Sequence, residues 1–338
     1  MKICGGIDLH STNSLIALLN WDGELISQKR LDNNLQGIVE HLSPYQDSIE
    51  GLVVESTYNW YWLVDGLMEA GYRVHLANTA AIQQYSGLKY TDDPYDARWL
   101  AELLRLGILP EGYICPKEER AARDLMRKRS QLVHHKVTQM LSIQTLWTRN
   151  TGRSISANRL RKLTEAEVAE RFPQVYIVSA VNGNLRVMRC LEVEIDRIER
   201  EVKQAVKLRP DFNLVKTVPG IGNILGLTIM LEAGTMQRFE KVGNFTSYCR
   251  CVQTKRISNG KKKGAGNSKN GNKYLAWAFV EAAHFAVRYN PRIKRYYQRK
   301  KAQRNTCVAT KAVAHKLARA CYFVLRDQVP FDVNKSFA

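Results

Sequence analysis

Residues 1–31 read MKICGGIDLHSTNSLIALLNWDGELISQKRL. Lys2–Leu9 is a short apolar run with a single carboxylate, Asp8, near its end. Ser14–Asn20 is a second apolar run. Trp21-Asp22-Gly23-Glu24 has the composition of a hairpin turn leading into a third strand, Leu25–Leu31. Downstream, the pattern predicts a helix over Leu35–Leu42 and a buried strand, Gly51-Leu52-Val53-Val54-Glu55, that also ends on a carboxylate. A helix over Trp60–Ala70 is stopped by Gly71, and Tyr72–Ala77 makes a fifth strand. The last helix of this region, Asp93–Leu106, packs back on the sheet. Three strands in a meander followed by α/β crossovers define an α/β N-terminal domain with a mixed sheet, spanning residues 1–108.

The order of those strands is that of a ribonuclease-H-like sheet. Beyond it, residues 118–150 and 181–208 read as two long helices. In the second, Met188, Leu191, Ile195, Ile198 and Val202 repeat at alternating spacings of three and four. Met126, Val133, Val137, Met140, Gln144 and Trp147 nearly do so in the first. Such heptads pack helices together, either as a hairpin within one chain or as an oligomerisation stalk. Residues 109–208 thus form a helical, coiled-coil-like region. Residues 209–338 make a mainly α C-terminal domain.

The charge is unevenly placed. The chain carries +19 overall; residues 241–338 hold 22 Lys and Arg against Glu281, Asp327 and Asp332, which accounts for all of it. A field of one sign in one segment attracts polyanions, and nucleic acid is the expected partner. The seven cysteines are odd in number and irregular in spacing, and Cys249 and Cys251 lack the second pair or nearby His that a zinc site needs. With no signal-peptide-like start and no apolar run of ~20 residues, a cytoplasmic, nucleoid-acting protein without a membrane partner is expected.

Asp8 and Glu55 end apolar strands, and neighbouring strands would bring them out side by side. Asp93 and Asp96, three apart, share one face of a helix start. Four clustered carboxylates repel one another unless a cation neutralises them, and hard oxygen ligands suit Mg²⁺ or Mn²⁺. Two such ions can activate the attacking oxygen and stabilise the leaving one in phosphodiester cleavage.

Two features of the C-terminal domain suit phosphates. Val218-Pro219-Gly220-Ile221-Gly222 resembles a helix-hairpin-helix turn, in which Gly220 and Gly222 would let the backbone approach a phosphate. From Lys255 and Arg256 a Gly/Lys/Asn-rich loop follows, with Lys261, Lys262, Lys263, Lys269 and Lys273 falling within thirteen residues. It reads as a mobile clamp for a nucleic-acid backbone. Ser258 beside these cations is either a turn serine of Ser-Asn-Gly or a nucleophile, since nearby positive charge stabilises an alkoxide and a phosphoryl transition state. Residues Arg288–Arg304 interleave Tyr289, Tyr296 and Tyr297 with eight Lys and Arg, among them Arg295, Arg299 and Lys300. Aromatics can stack on bases while cations hold phosphates.

Gly6-Ile7-Asp8, Val54-Glu55-Ser56-Thr57 and Asp93-Pro94-Tyr95-Asp96-Ala97 resemble the D, E and D-x-x-D-A motifs of the DEDD transposases of the IS-one-ten insertion-sequence family. The family's usual Lys-Thr-Asp-x-x-Asp-Ala run is interrupted here by one residue. Asp92 and Asp93 therefore compete for the third position, and the spacing to Asp96 favours Asp93. Ser268-Lys269-Asn270-Gly271 and Tyr274-Leu275 match the family's Ser-Lys-x-Gly run and helix start. Ser258 then falls at its nucleophilic serine, with Ser-Asn-Gly in place of Ser-Gly. The resemblance implies a RuvC-like N-terminal domain and a magnesium-dependent serine recombinase that joins donor and target DNA. It also implies a homo-oligomer, dimer to tetramer, and a noncoding bridge RNA. A Piv-type site-specific invertase shares the motifs. A RuvC-like hydrolytic junction nuclease would need the carboxylates without Ser258, and a purely nucleic-acid-binding protein would need neither.

Overall fold

Strand β1 (Ile3–Leu9) is buried along its whole length because it is the central strand of five, in the order β3-β2-β1-β4-β5. In the computed structural model of the chain, residues 1–82, 93–206, 210–252, 256–264 and 270–337 are described, with backbone alone at 93–94, 205–206, 256–258 and 262. Antiparallel β2 (Asn13–Asn20) and β3 (Leu25–Asp32) form the meander read from the sequence. Strands β4 (Ile49–Glu55) and β5 (Val74–Ala77) run parallel to β1 on its other side. Helices α1 (Leu35–Leu42), α2 (Tyr61–Glu69), α3 (Thr79–Ile82) and α4 (Asp93–Arg105) complete this region.

Side-chain alternation along β1 divides the two faces. Ile3, Ile7 and Leu9 join Ile16, Leu18, Leu52 and Val54 in a core with Ile38 and Leu42 of α1 and Leu63 and Leu67 of α2. On the opposite face α4 packs Ala97 against Leu15 and Ala17, and Leu100 against Val53 and Ala77. Gly6 lies beneath it. A Cβ there would stand 2.0 Å from the Ala97 carbonyl oxygen and 2.7 Å from the Ala101 nitrogen. No side chain fits, so α4 rests directly on β1.

The chain divides into two compact units, Met1–Lys117 with Thr254–Asn270, and Glu118–Gln253 with Gly271–Ala338. In the second, α5 (Lys117–Thr151) and α8 (Val175–Val206) are the two long helices, linked by α6 (Ala157–Lys162) and α7 (Glu165–Arg171). They pair antiparallel within one chain: Arg129 meets Glu199 at 2.6 Å, Lys136 meets Glu192 at 3.5 Å, and Asn184 donates to Ser142 at 3.1 Å. The heptad positions Met188, Ile195, Ile198 and Val202 are accordingly buried. Helices α9 (Pro210–Val215), α10 (Asn223–Ala233), α11 (Val242–Tyr248), α12 (Lys273–Tyr289), α13 (Pro291–Gln303), α14 (Thr306–Asp327) and α15 (Val333–Ser336) follow. Phe245, Phe279, Tyr322 and the thiols of Cys249, Cys251 and Cys321 lie in their shared core. Among the described residues no helix is long and apolar enough to cross a membrane.

In place of an open loop, the Lys-rich segment contains a two-stranded hairpin, β6 (Arg256–Ser258) and β7 (Lys261–Gly264). Asn259 and Gly260 both have positive φ, 49° and 70°. That is the signature of a type I′ turn, whose twist matches that of the flanking strands and which Asn-Gly adopts most readily.

Candidate active site

Strands β1 and β4 are parallel and in register at Ile7 and Val54, so the next residues, Asp8 and Glu55, leave the sheet side by side. Both lie on the α4 face, by alternation from Ile7 and Val54, which point into the opposite core. Helix α4 opens at Asp93, and Asp96 follows in its first turn. The close approach at Gly6 brings that turn to the same sheet edge.

The acids influence one another strongly. Glu55 is pushed up to about 7, first by burial, then by its hydrogen bond with Asp8 and by the negative charges of Asp8 and Asp96. Asp8 is only 5% exposed. Among the described residues no three acidic, His or Cys side chains are gathered closely enough to grip an ion, and the Asp93 side chain lies outside that description.

Sequence reading missed the frame around Asp8. His10 places Nε2 3.1 Å from Asp8 Oδ2. Its backbone is fixed on three sides: its N–H donates to the Asn13 carbonyl at 2.9 Å, and its carbonyl accepts from Asn33 Nδ2 and Asn59 Nδ2, each at 3.0 Å. Asn33 is held by the buried Ser14 hydroxyl at 2.7 Å, and Asn59 accepts from Thr57 at 2.9 Å. Only the nearness of His10 to Asp8 in the chain could have suggested this. The asparagines come from distant turns.

Ser258 is the last residue of β6 and pairs with Lys261 across the turn. The hairpin belongs to the same compact unit as the carboxylates, although some 150 residues separate it from α4 in the chain. Lys261 and Lys263 are exposed. Asp92, Lys255, Ser268 and Lys269 lie outside the described residues, as do the side chains of Arg256, Ser258 and Lys262.

The two ends of the segment bearing this hairpin are tied down in the helical unit. Arg250 donates to the Gly271 carbonyl at 3.0 and 2.8 Å, and Asn272 N–H donates to the Tyr248 carbonyl at 2.6 Å. Asn272 also caps α12 and donates through Nδ2 to Glu232 at 2.6 Å. Glu232, 3% exposed, takes a bidentate pair from Arg127 at 2.6 and 2.7 Å. Sequence reading had no signal for this triad.

Of the remaining nucleic-acid candidates, Lys273, Arg295 and Arg299 are exposed and Lys300 half-buried. Gly222 is exposed at the N-cap of α10 with open space around it. Gly220, φ +84°, serves packing, since a Cβ there would meet the Ala282 carbonyl of α12 at 2.1 Å.

Comparison with known proteins finds matches to two separate stretches of the chain. A family profile for DEDD transposases of the IS110 type matches residues 5–149, which include the acidic edge. A second, described as transposase IS116/IS110/IS902 family, matches residues 212–298, which include the hairpin. A probable family 20 transposase of Pseudomonas aeruginosa is 24% identical over 277 residues, covering 78% of this chain and 80% of that one. The transposase for insertion sequence element IS1111A of Coxiella burnetii is 27% identical over 141 residues, 38% of this chain and 39% of that one. With both profiles matched in order along the chain, it belongs to the IS110 family of DEDD transposases.

Proposed function

We propose that this transposase cuts and rejoins donor and target DNA at a composite centre made of Asp8, Glu55, Asp93, Asp96 and the Ser258 hydroxyl. The observation that carries the reading is that Asp8 and Glu55 leave neighbouring parallel strands side by side and share a hydrogen bond, with the charge of Asp96 acting on Glu55. Carboxylates that cannot all ionise together are a set that a hard divalent cation relieves. Asp8, Glu55 and Asp96, with Asp93, would hold Mg²⁺ or Mn²⁺, which supplies Lewis-acid stabilisation of phosphate oxygens when bound. His10 and the asparagines around it keep Asp8 in place. The strand order, with its antiparallel meander and parallel β4 and β5, supports a ribonuclease-H-like, RuvC-like reading of the sheet.

Ser258 Oγ attacks a DNA phosphate. The Oγ–P bond forms as the P–O3′ bond breaks, and the proton lost from the serine hydroxyl is matched by the one the released 3′ oxygen takes up from solvent. The hairpin's membership of the carboxylate unit supports this role, as does Lys261 opposite Ser258. The chain divides functionally into a catalytic segment 1–108, a helical segment 109–208 and a basic segment 209–338. By the family resemblance, a noncoding bridge RNA guides the choice of DNA, two to four copies assemble on paired ends, and the setting is the cytoplasmic nucleoid.

The test is a denaturing gel of the protein, with its co-purifying RNA, incubated with Mg²⁺ and candidate donor and target DNA. An adduct mapped to Ser258 by mass spectrometry, and absent in Asp8→Asn, is the expected result. Cleavage without an adduct and untouched by Ser258→Ala would move the protein to hydrolytic junction cleavage.

A further inference from the structure

Helix α12 starts directly after the Lys-rich segment and buries one face, Leu275, Ala278, Phe279, Ala282, Ala283 and Ala286. Its other face is unusual. Trp277, Phe285 and Tyr289 are 37%, 43% and 73% exposed. With half-buried Glu281 between them they recur every four residues, so they form one slowly turning row. The exposed Lys273, His284 and Arg288 flank that row. No Leu, Ile, Val or Met is exposed on this face. A coiled-coil seam between helices is aliphatic, and exposed aliphatics of that type occur in this chain, where α5 and α8 expose Val137, Leu141, Val187 and Val193. Aromatics set among cations are instead the composition of a stacking platform for nucleobases.

We infer that the outer face of α12 is a track for an unpaired DNA strand, with bases stacked on Trp277, Phe285 and Tyr289 and phosphates held by Lys273 and Arg288. Charge complementarity selects this occupant over a protein: Glu281 is one of only three acids in residues 241–338, against 22 Lys and Arg. Trp277 to Tyr289 spans roughly 18 Å along the helix axis, the axial length of about five nucleotides at ~3.4 Å each. Bound there, a strand opened during the reaction would be kept from re-pairing. The inference rests on the DNA-transposase assignment and uses neither the carboxylates nor Ser258.

The experiment is fluorescence anisotropy with a labelled twelve-nucleotide single strand and the matching duplex, in EDTA, on the full-length protein. Trp277→Ala and Phe285→Ala each weaken single-strand binding about 5- to 100-fold, as loss of one stacked base does, and leave duplex affinity within about twofold. Trp277→Phe restores most of the loss. Unchanged thermal melting of each variant separates the effect from misfolding. Single-strand binding insensitive to these substitutions overturns the track. So does an α12 variant that lowers the oligomeric mass in light scattering without touching single-strand affinity, because the face would then be a contact between copies. An RNA twelve-mer bound ten times more tightly than the DNA overturns the assignment to a DNA strand. A protein that binds neither strand nor duplex fails the DNA reading itself, which is a different outcome.

Discussion

At the scale of single residues, Gly6 separates β1 from α4 by nothing but hydrogen, with the Ala97 carbonyl 2.0 Å from where a Cβ would lie. Gly6→Ala must lift α4 and its acidic first turn off the sheet. Overpacking of this kind costs ~1–3 kcal/mol. A urea titration should show that loss, together with loss of strand cleavage. Glu55 makes a pH prediction. Its raised value means that the neutral form is favoured in the folded chain, so its contribution to stability is full below about 4.5, its unfolded value, and is lost as pH rises through about 7. In EDTA, the melting temperature of wild type minus that of Glu55→Gln should fall across this window and level off above it. A flat difference curve would refute the elevated Glu55. Glu232 is a third case. Glu232→Ala leaves the Arg127 guanidinium and the Asn272 amide without their shared acceptor. Glu232 is buried but the Arg127 side chain is 32% exposed, so the cost is that of lost charged hydrogen bonds, ~1.5–3 kcal/mol, measurable by chemical denaturation.

At the scale of elements, the sheet was legible and the hairpin was not. The strands ending at Asp8 and Glu55 and the helix from Asp93 stand where the apolar runs put them, because period and turn composition are local properties. Asn259-Gly260 carries a strong hairpin signal, yet its flanks are polar and short, so the segment read as a loop. Backbone pairing, which composition does not report, formed β6 and β7. With φ of 70° at Gly260, Gly260→Val strains the turn. We expect it to reduce adduct formation at Ser258 while duplex affinity holds, whereas Asn259→Gly should be tolerated in the same assay. The long helices show the converse. Their heptads were plain, but periodicity alone is silent on whether the partner helix lies in the same chain. The Arg129–Glu199, Lys136–Glu192 and Ser142–Asn184 contacts pair α5 with α8.

At the scale of the whole molecule, the charge sits in residues 241–338, and DNA affinity should fall steeply with salt. Arg295→Ala and Arg299→Ala should each weaken binding to unrelated duplexes uniformly and lower the salt slope by about one. Substitutions without effect on the slope would remove α13 from the interface. By itself the sequence determined the strand ends and their acids, the long amphipathic helices and the cationic C-terminal segment, since each depends on neighbours within one or two turns of chain. Only the tertiary structure decided which acids meet, that His10 and two asparagines frame Asp8, that Arg127 and Glu232 pair across 105 residues, and that the serine hairpin joins the carboxylate unit. The asparagines around His10 and the Arg127–Glu232 pair come from segments remote in the chain, brought together by the packing of whole elements.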